Sequence, residues 1–286
     1  KEKVGNEYTF SMKVGFCENC NMVQLVEQPD REQMFHENYA FFSSTSSYMQ
    51  EHFKNFAQSV IELQSLDEDS FVVEIGSNDG IMLNNFLSQN IPNLGIEPSK
   101  NVAQVAKDKG IEVVTQFFDQ TLAEKITETH QKADAILSAN VMCHIPYMHS
   151  IYDGVKALLK ADGVFIFEDP YLGEVIEKTS FDQIYDEHVF LFSALSISHL
   201  ANMHDLELIN VEPQITHGGS MRYTLAHKGV KIVSQNVTNL IAKEKKTGLD
   251  SKEAYICFTD SVNKIRKDLI ALLNKLKSEG KKVVAY

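Results

Sequence analysis

Residues 72–80 read Val72-Val73-Glu74-Ile75-Gly76-Ser77-Asn78-Asp79-Gly80, and Gly95-Ile96-Glu97-Pro98 follows after a helical stretch. An apolar strand, a glycine turn, a helix and a second short strand ending on an acid form the opening of a βαβ unit. That pattern restricts the chain to an α/β design. Gly76 and Gly80 carry no Cβ, so a ligand can lie against the backbone there. Glu97 stands 21 residues beyond Gly76, where the second strand of such a unit presents a carboxylate to ribose hydroxyls. The pattern points to a nucleoside-type cofactor.

The same rhythm continues to residue 170. Strands are expected near 71–75, 93–96, 111–114, 133–138 and 163–168, with helices near 80–89, 99–109, 120–129 and 147–160. Such alternation builds a parallel sheet covered on both faces, with ligands at the carboxyl ends of its strands. Ahead of it, residues 1–35 read as short β segments around Cys17-Glu18-Asn19-Cys20. Residues 47–66 read as an amphipathic helix carrying Met49, Phe53, Phe56, Val60, Ile61 and Leu63. After Asp169-Pro170 a helix is expected over 194–203, then an antiparallel pair, 206–214 with 219–227, joined through His217-Gly218-Gly219-Ser220. From 233 to 279 the chain reads as helical, and Phe258, Val262, Ile265, Leu269, Leu272 and Leu276 form a stripe that predicts a packed face. Residues 281–286 read as the start of another buried strand.

A net charge of −12 argues against a nucleic-acid binder that relies on a basic field. No apolar run approaches the ~18 residues of a membrane span, and the N-terminus lacks a signal-peptide profile. Four cysteines without disulfide-framework spacing fit a reducing cytosol. A cytoplasmic protein with a small-molecule partner, and no nucleic-acid or membrane partner, is expected; the oligomeric state is not legible.

A dinucleotide site would show G-x-G-x-x-G, with a pyrophosphate on the helix N-terminus. Here the spacing is E-x-G-x-x-x-G, with Ser77-Asn78-Asp79 between the glycines. An acid on the loop and no close glycine pair suit a cationic, phosphate-free ligand such as S-adenosylmethionine. The loop resembles motif I of the class I methyltransferases, with Glu97 as their ribose-binding acid and Pro98 beside it. Phe117, after the third strand, is placed to stack on an adenine or to be core. Asn140, after the fourth, is placed to face the methionine end.

Two clusters stand out beyond the loop: His144 after the fourth strand, and Tyr185-Asp186-Glu187-His188. A histidine near neutral pKa suits proton removal, and a phenol or acid beside it can orient the ring or hold an enolate oxygen. His217-Gly218-Gly219-Ser220-Met221-Arg222 adds flexible glycines, a hydroxyl and a guanidinium suited to phosphate or sugar oxygens.

In order along the chain, these segments resemble the nucleotide-sugar C-methyltransferases of deoxysugar biosynthesis. The resemblance runs from Cys17-x-x-Cys20 and Tyr39-x-Phe41-x-Ser43-Ser44 through the glycine loop, Asn140-Val141-x-x-His144 and Glu168-Asp169-Pro170-Tyr171. It ends with Tyr185-x-Glu187-His188 and the 217–222 loop. It implies a Rossmann-like class I methyltransferase sheet with a small N-terminal zinc-module segment and a helical/β C-terminal extension. The corresponding division is 1–45, 46–228 and 229–286.

The implied reaction is carbon methylation of a nucleotide-linked keto-sugar through an enolate. His188 is then the base, supported by Tyr185 and Glu187. His144, Tyr39, Ser43, Ser44, Tyr171, His217, Ser220 and Arg222 face the substrate, while Gly76, Ser77, Asn78, Gly80, Glu97, Pro98, Phe117 and Asn140 face the cofactor.

The chain departs from the family at Asp186, where a histidine is usual, at Leu191, where an aromatic is usual, and at Phe41, commonly a tyrosine. The family also carries an upstream cysteine pair that completes a four-thiolate zinc site, and a C-terminal Rossmann-like lobe. By that comparison the chain starts after the first and stops at the entry to the second, so Cys17 and Cys20 are expected to form an incomplete zinc site. An O- or N-methyltransferase, or a silent cofactor-binding core, are the rival readings.

Overall fold

The computed structural model describes residues 9–284. In chain order the elements are β1 (Val14–Phe16), β2 (Val23–Leu25), α1 (Arg31–Met34), α2 (Ser47–Gln64), β3 (Val72–Ile75), α3 (Leu83–Leu87), β4 (Asn93–Ile96), α4 (Lys100–Asp108), β5 (Glu112–Val114) and α5 (Gln120–Thr129). They continue as β6 (Ala133–Ala139), α6 (Met148–Leu158), β7 (Leu159–Pro170), α7 (Leu172–Lys178), β8 (Phe190–Leu191), α8 (Ala194–Met203), β9 (Leu206–Gln214), β10 (Ser220–His227), α9 (Gln235–Lys246) and α10 (Lys252–Ser278).

Among the described residues the main sheet has seven strands in the order β5-β4-β3-β6-β7-β10-β9. β5 through β7 pair in parallel, and β10 inserts antiparallel between β7 and β9. The expected hairpin of 206–214 with 219–227 is thus the closing edge of the same sheet. The order reverses between β3 and β6, which opens a crevice at their carboxyl ends.

Period-2 alternation divides the core between the two faces. Val73, Ile75, Ile136, Phe165 and Phe167 join one apolar cluster, whereas Val72, Ala135, Leu137, Val164 and Ile166 join the other. α2 covers the second layer with buried Phe53, Phe56, Ala57, Val60 and Ile61; it starts at the Ser46 cap and stops at Ser65, whose φ is +53°. Leu63, assigned to that face by spacing, points to solvent.

β1 and β2 form a hairpin whose second strand pairs with β8. This brings residues 190–191, just after the histidine cluster, against the cysteine turn. α9 is fixed by Glu244. Its carboxylate accepts the backbone N–H groups of Ala194 (2.8 Å) and Leu195 (2.9 Å) at the start of α8, and the Tyr171 hydroxyl (3.0 Å). An acid at a helix N-terminus completes orphan donors and complements the dipole.

Three C-terminal expectations are corrected. The helical region breaks into α9 and α10 across 247–251, with Gly248 at φ +80°. The apolar stripe of α10 is not packed: none of its residues is buried, and Leu269 and Leu272 are about half exposed. Residues 281–284 form no strand, and 285–286 lie outside the described residues. Among the described residues, no helix is long and apolar enough to cross a membrane.

Candidate active site

A cleft with about 1010 Å³ of empty volume, part of it open to solvent, lies over the switch between β3 and β6. The loops after β3, β4, β5 and β6 contribute Gly76, Asn78, Glu97, Pro98, Phe117 and Asn140, all of which line it. The segment ahead of α2 covers the other side with Arg31, Phe35, Tyr39, Phe41 and Ser43, and His144 and His217 complete the wall.

Gly76 sits at φ +73°, and a Cβ there would lie 2.7 Å from Val141 Cγ1. Val141 thus fills the place of a Gly76 side chain, while Gly76 itself lines the cleft. Glu97 is held by two backbone donors, Asn78 N–H to Oε2 (3.0 Å) and Ser99 N–H to Oε1 (2.8 Å). Burial raises its pKa, and those two hydrogen bonds oppose the shift. Asn140 occupies a left-handed conformation (φ +56°), and its buried Oδ1 has no partner. A glycine lining the cleft, an oriented acid and an unpartnered amide oxygen on one wall fit a nucleoside carrying an amino-acid tail. S-adenosylmethionine is such a molecule. Glu97 would hold its ribose, and Gly76 and Asn140 would border its methionine end.

Three expectations for the cofactor loop need correction. Gly80 does not face the cleft; a Cβ there would meet Ile111 and lie 3.1 Å from Ala106 Cβ, so the glycine serves packing of the turn against α4. Ser77 is fully buried and packs on Gly95. Asp79 is also fully buried and accepts from the Ser44 hydroxyl and from Ser44 N–H (3.1 Å). The loop acid therefore anchors the covering segment rather than meeting the ligand, and Ser44 is spent on that anchor. Phe117 lines the cleft, but the Arg31 guanidinium lies 4.4 Å from its ring centre and 4.7 Å from that of Tyr147.

The Tyr185–His188 cluster stands beside the cleft, against His144. The Tyr185 hydroxyl is 2.9 Å from His188 Nε2, and His188 Nδ1 is 2.8 Å from the Gln183 carbonyl. A carbonyl can only accept, so Nδ1 carries the proton and Nε2 keeps its lone pair, accepting from Tyr185. The His144 ring packs edge-on at 5.2 Å from that of His188, with Glu187 Oε2 3.7 Å from His144 Nδ1. Burial lowers the pKa of His188 to about 4 and, together with the neighbouring His188 and His217, that of His144 to about 3. Both rings are neutral at pH 7. Burial and the adjoining Asp186 raise Glu187.

Three expected substrate contacts are structural. Tyr171 is buried and donates to Glu244, and Ser220 is buried and donates to the Thr216 carbonyl (3.1 Å). Arg222 pairs with fully buried Glu168 (3.0 Å) and stacks on Phe56 (3.6 Å). Glu168 also accepts from Thr216 (2.9 Å) and meets His52 Nε2 (2.8 Å). Burial opposes ionisation there, but these partners outweigh it and lower the pKa. That network holds the turn bearing His217 (φ +51°) against the cleft. The sequence gives no motif for Arg31 and Phe35, which reach the site only through folding of the covering segment, or for Tyr147, which stands just ahead of α6. Cys17 and Cys20 stay adjacent on the β1–β2 turn; among the described residues no third His, Cys, Asp or Glu joins them in a metal-sized group.

Comparison with known proteins agrees with this geometry. Residues 48–211 match the methyltransferase domain family, and 215–286 match the C-methyltransferase C-terminal domain. The chain is 30% identical over 289 residues to the C-methyltransferase NovU of Streptomyces niveus, covering all of this chain and 68% of that protein. An uncharacterised methyltransferase of Alkaliphilus oremlandii is 27% identical over 158 residues, 51% of this chain and 70% of its own length. A similar fold occurs in the complex between the Haloferax volcanii Trm112 methyltransferase activator and a methyltransferase: TM-score 0.50 at 13% identity, covering 65% of this chain and 94% of that one. With Gly76 lining a cleft at the strand switch and a match to NovU along all of this chain, the chain belongs to the class I, S-adenosylmethionine-dependent C-methyltransferases.

Proposed function

We propose that the chain methylates a carbon next to the ketone of a nucleotide-linked sugar, with His188 as the base. The observation that carries this reading is the Tyr185–His188–Gln183 relay, which leaves an unprotonated Nε2 beside the cofactor cleft. When bound, S-adenosylmethionine supplies an already activated methyl group, so the protein's own work is deprotonation, charge stabilisation and alignment.

The relay sets the order of events at Nε2. The Tyr185 hydroxyl must swing from Nε2 toward the substrate, which frees the lone pair to take the α-proton. The same hydroxyl then donates to the enolate oxygen. A ring with lowered pKa needs no prior deprotonation but is a weaker base, so enolate stabilisation must carry more of the barrier. Tyr185 and Tyr39, both kept protonated by burial and nearby acids, are the phenol donors available. Arg31 is the one guanidinium on the cleft wall among the described residues, and its charge suits the diphosphate of such a substrate.

The test is solvent deuterium exchange at the α-carbon of a panel of 4-keto nucleotide sugars without cofactor. Exchange that is lost in His188→Ala supports enolisation. Methyl transfer to oxygen or nitrogen with no exchange would replace it with the hydroxyl- or amine-directed reading. The division at residues 45 and 228, and a cytoplasmic setting, belong to the same proposal.

A further inference from the structure

The proton-transfer cluster contains a group that enolate chemistry leaves idle. The Cys143 thiol, one ring nitrogen of His144 and one of His188 all lie within 4.8 Å of one another, and all three side chains are buried. Cys143 has no place in the reaction proposed above.

From this geometry we infer that Cys143, His144 and His188 form a three-ligand site for a zinc-class divalent cation, and that the cation and the base function exclude each other. Sulfur and two imidazole nitrogens make a donor set preferred by borderline-soft metals, and three protein ligands leave a fourth position open to water or a substrate oxygen.

Two independent observations support the site. His144 is more than nine-tenths buried, and its Nδ1 has no hydrogen-bond partner. His188 donates its Nδ1 proton to the Gln183 carbonyl, the outer-shell arrangement that orients a metal-binding imidazole and exposes the other nitrogen. Asp169 adds a buried, unpartnered carboxylate oxygen next to Cys143, whose own backbone N–H it accepts at 3.4 Å.

The dication enters, Tyr185 releases Nε2, and the Cys143 thiol loses its proton to solvent, leaving one net positive charge on the centre. A thiol binds the metal only as thiolate, so the metal must displace that proton and uptake strengthens as pH rises. The Nε2 lone pair that would accept the α-proton is then bound to metal. The inhibitory consequence rests on the role proposed for His188; the binding site does not.

The test uses the full chain with Cys17→Ser and Cys20→Ser, which removes the other thiol pair. Titration with Co²⁺ should load one ion per chain and give a near-ultraviolet thiolate-to-cobalt absorption. Cys143→Ser should abolish that band, and His188→Gln should weaken cobalt binding more than about tenfold, the lower edge of what altering even an outer partner of a ligand costs. Zinc should inhibit α-proton exchange and methyl transfer, and Cys143→Ser should stay active while resisting zinc by at least tenfold. A cobalt band that persists in Cys143→Ser, or no cobalt uptake by the parent chain, overturns the site. If Cys143→Ser does not fold, the His188→Gln titration decides alone. A cobalt band without any exchange activity would confirm the site and refute the enolate reading separately.

Discussion

Replacing Gly76 by alanine tests the glycine loop most directly. At φ +73° an L side chain costs roughly 1–2 kcal/mol. The new Cβ would also lie 2.7 Å from Val141 Cγ1 and 3.1 Å from Val141 Cβ. A branched side chain in a packed turn yields little, and overpacking of this kind costs about 1–3 kcal/mol. The sum is roughly 2–5 kcal/mol, which at about 2 °C per kcal/mol lowers Tm by roughly 4–10 °C. Urea titration of Gly76→Ala, Val141→Ala and the double variant separates the two contributions. Trimming Val141 removes the clash but not the backbone strain, so the double variant should recover about 1–3 kcal/mol relative to additivity. Calorimetry should show weakened S-adenosylmethionine binding in Gly76→Ala. Gly80→Ala should lose comparable stability, because Ile111 and Ala106 occupy its Cβ position, yet bind cofactor nearly as the parent does. A coupling energy near zero, or equal loss of cofactor binding at both glycines, refutes the assignment of one glycine to the ligand and the other to packing.

Other outcomes follow from the site. His188→Ala should abolish methyl transfer while leaving cofactor affinity unchanged in calorimetry, because His188 stands behind the cleft wall rather than on the cofactor side. Glu168→Ala strands Arg222 without its buried partner and should cost about 3–5 kcal/mol in denaturant unfolding. Arg222→Met should likewise lower stability, with KM for any sugar substrate unmoved. The pH dependence has a definite sign. His188 and His144 have folded pKa values of about 4 and about 3, below the ordinary 6.5. The unfolded chain therefore binds more protons, and their contribution is full above pH 6.5 and lost as pH falls toward 4 and 3. Glu168, also lowered, has the same sign below about pH 4.5. The buried carboxyls of Asp169, Glu74, Glu97, Glu187 and Glu244 are raised and carry the opposite sign, so the histidine contribution is read as the stability difference between the parent chain and His188→Gln, which should shrink from pH 7 to pH 4.

Much of the fold was legible because α/β alternation is written in local periodicity. α5 and α8 begin and end where spacing and caps place them: Asp119 accepts from Leu122 N–H (2.8 Å), and Ser193 with Ser196 closes a capping box. The place of Gly76, Glu97 and Asn140 on the cleft was legible because each follows a strand of one repeating unit. Gly80, Ser77, Tyr171, Ser220 and Arg222 were misassigned for one shared reason. A residue adjacent in sequence to a site residue can point into the core, and only the neighbours it meets there decide. The α10 stripe shows the converse: an amphipathic pattern specifies a face but not what covers it.

By itself, then, the sequence determined the parallel sheet, the glycine turn, the distant acid and the histidine cluster, because strand and helix periods and turn chemistry act over a few residues. The tertiary structure decided which of two similar glycines lines the cleft and that Asp79 anchors the covering segment. It also placed Arg31 on the cleft wall and put Cys143 beside two neutral imidazoles. Those outcomes depend on contacts between segments more than a hundred residues apart, such as the pairing of β2 with β8 and of His52 with Glu168. No local preference encodes such a meeting; it follows only when the whole sheet closes and the buried polar groups must find partners.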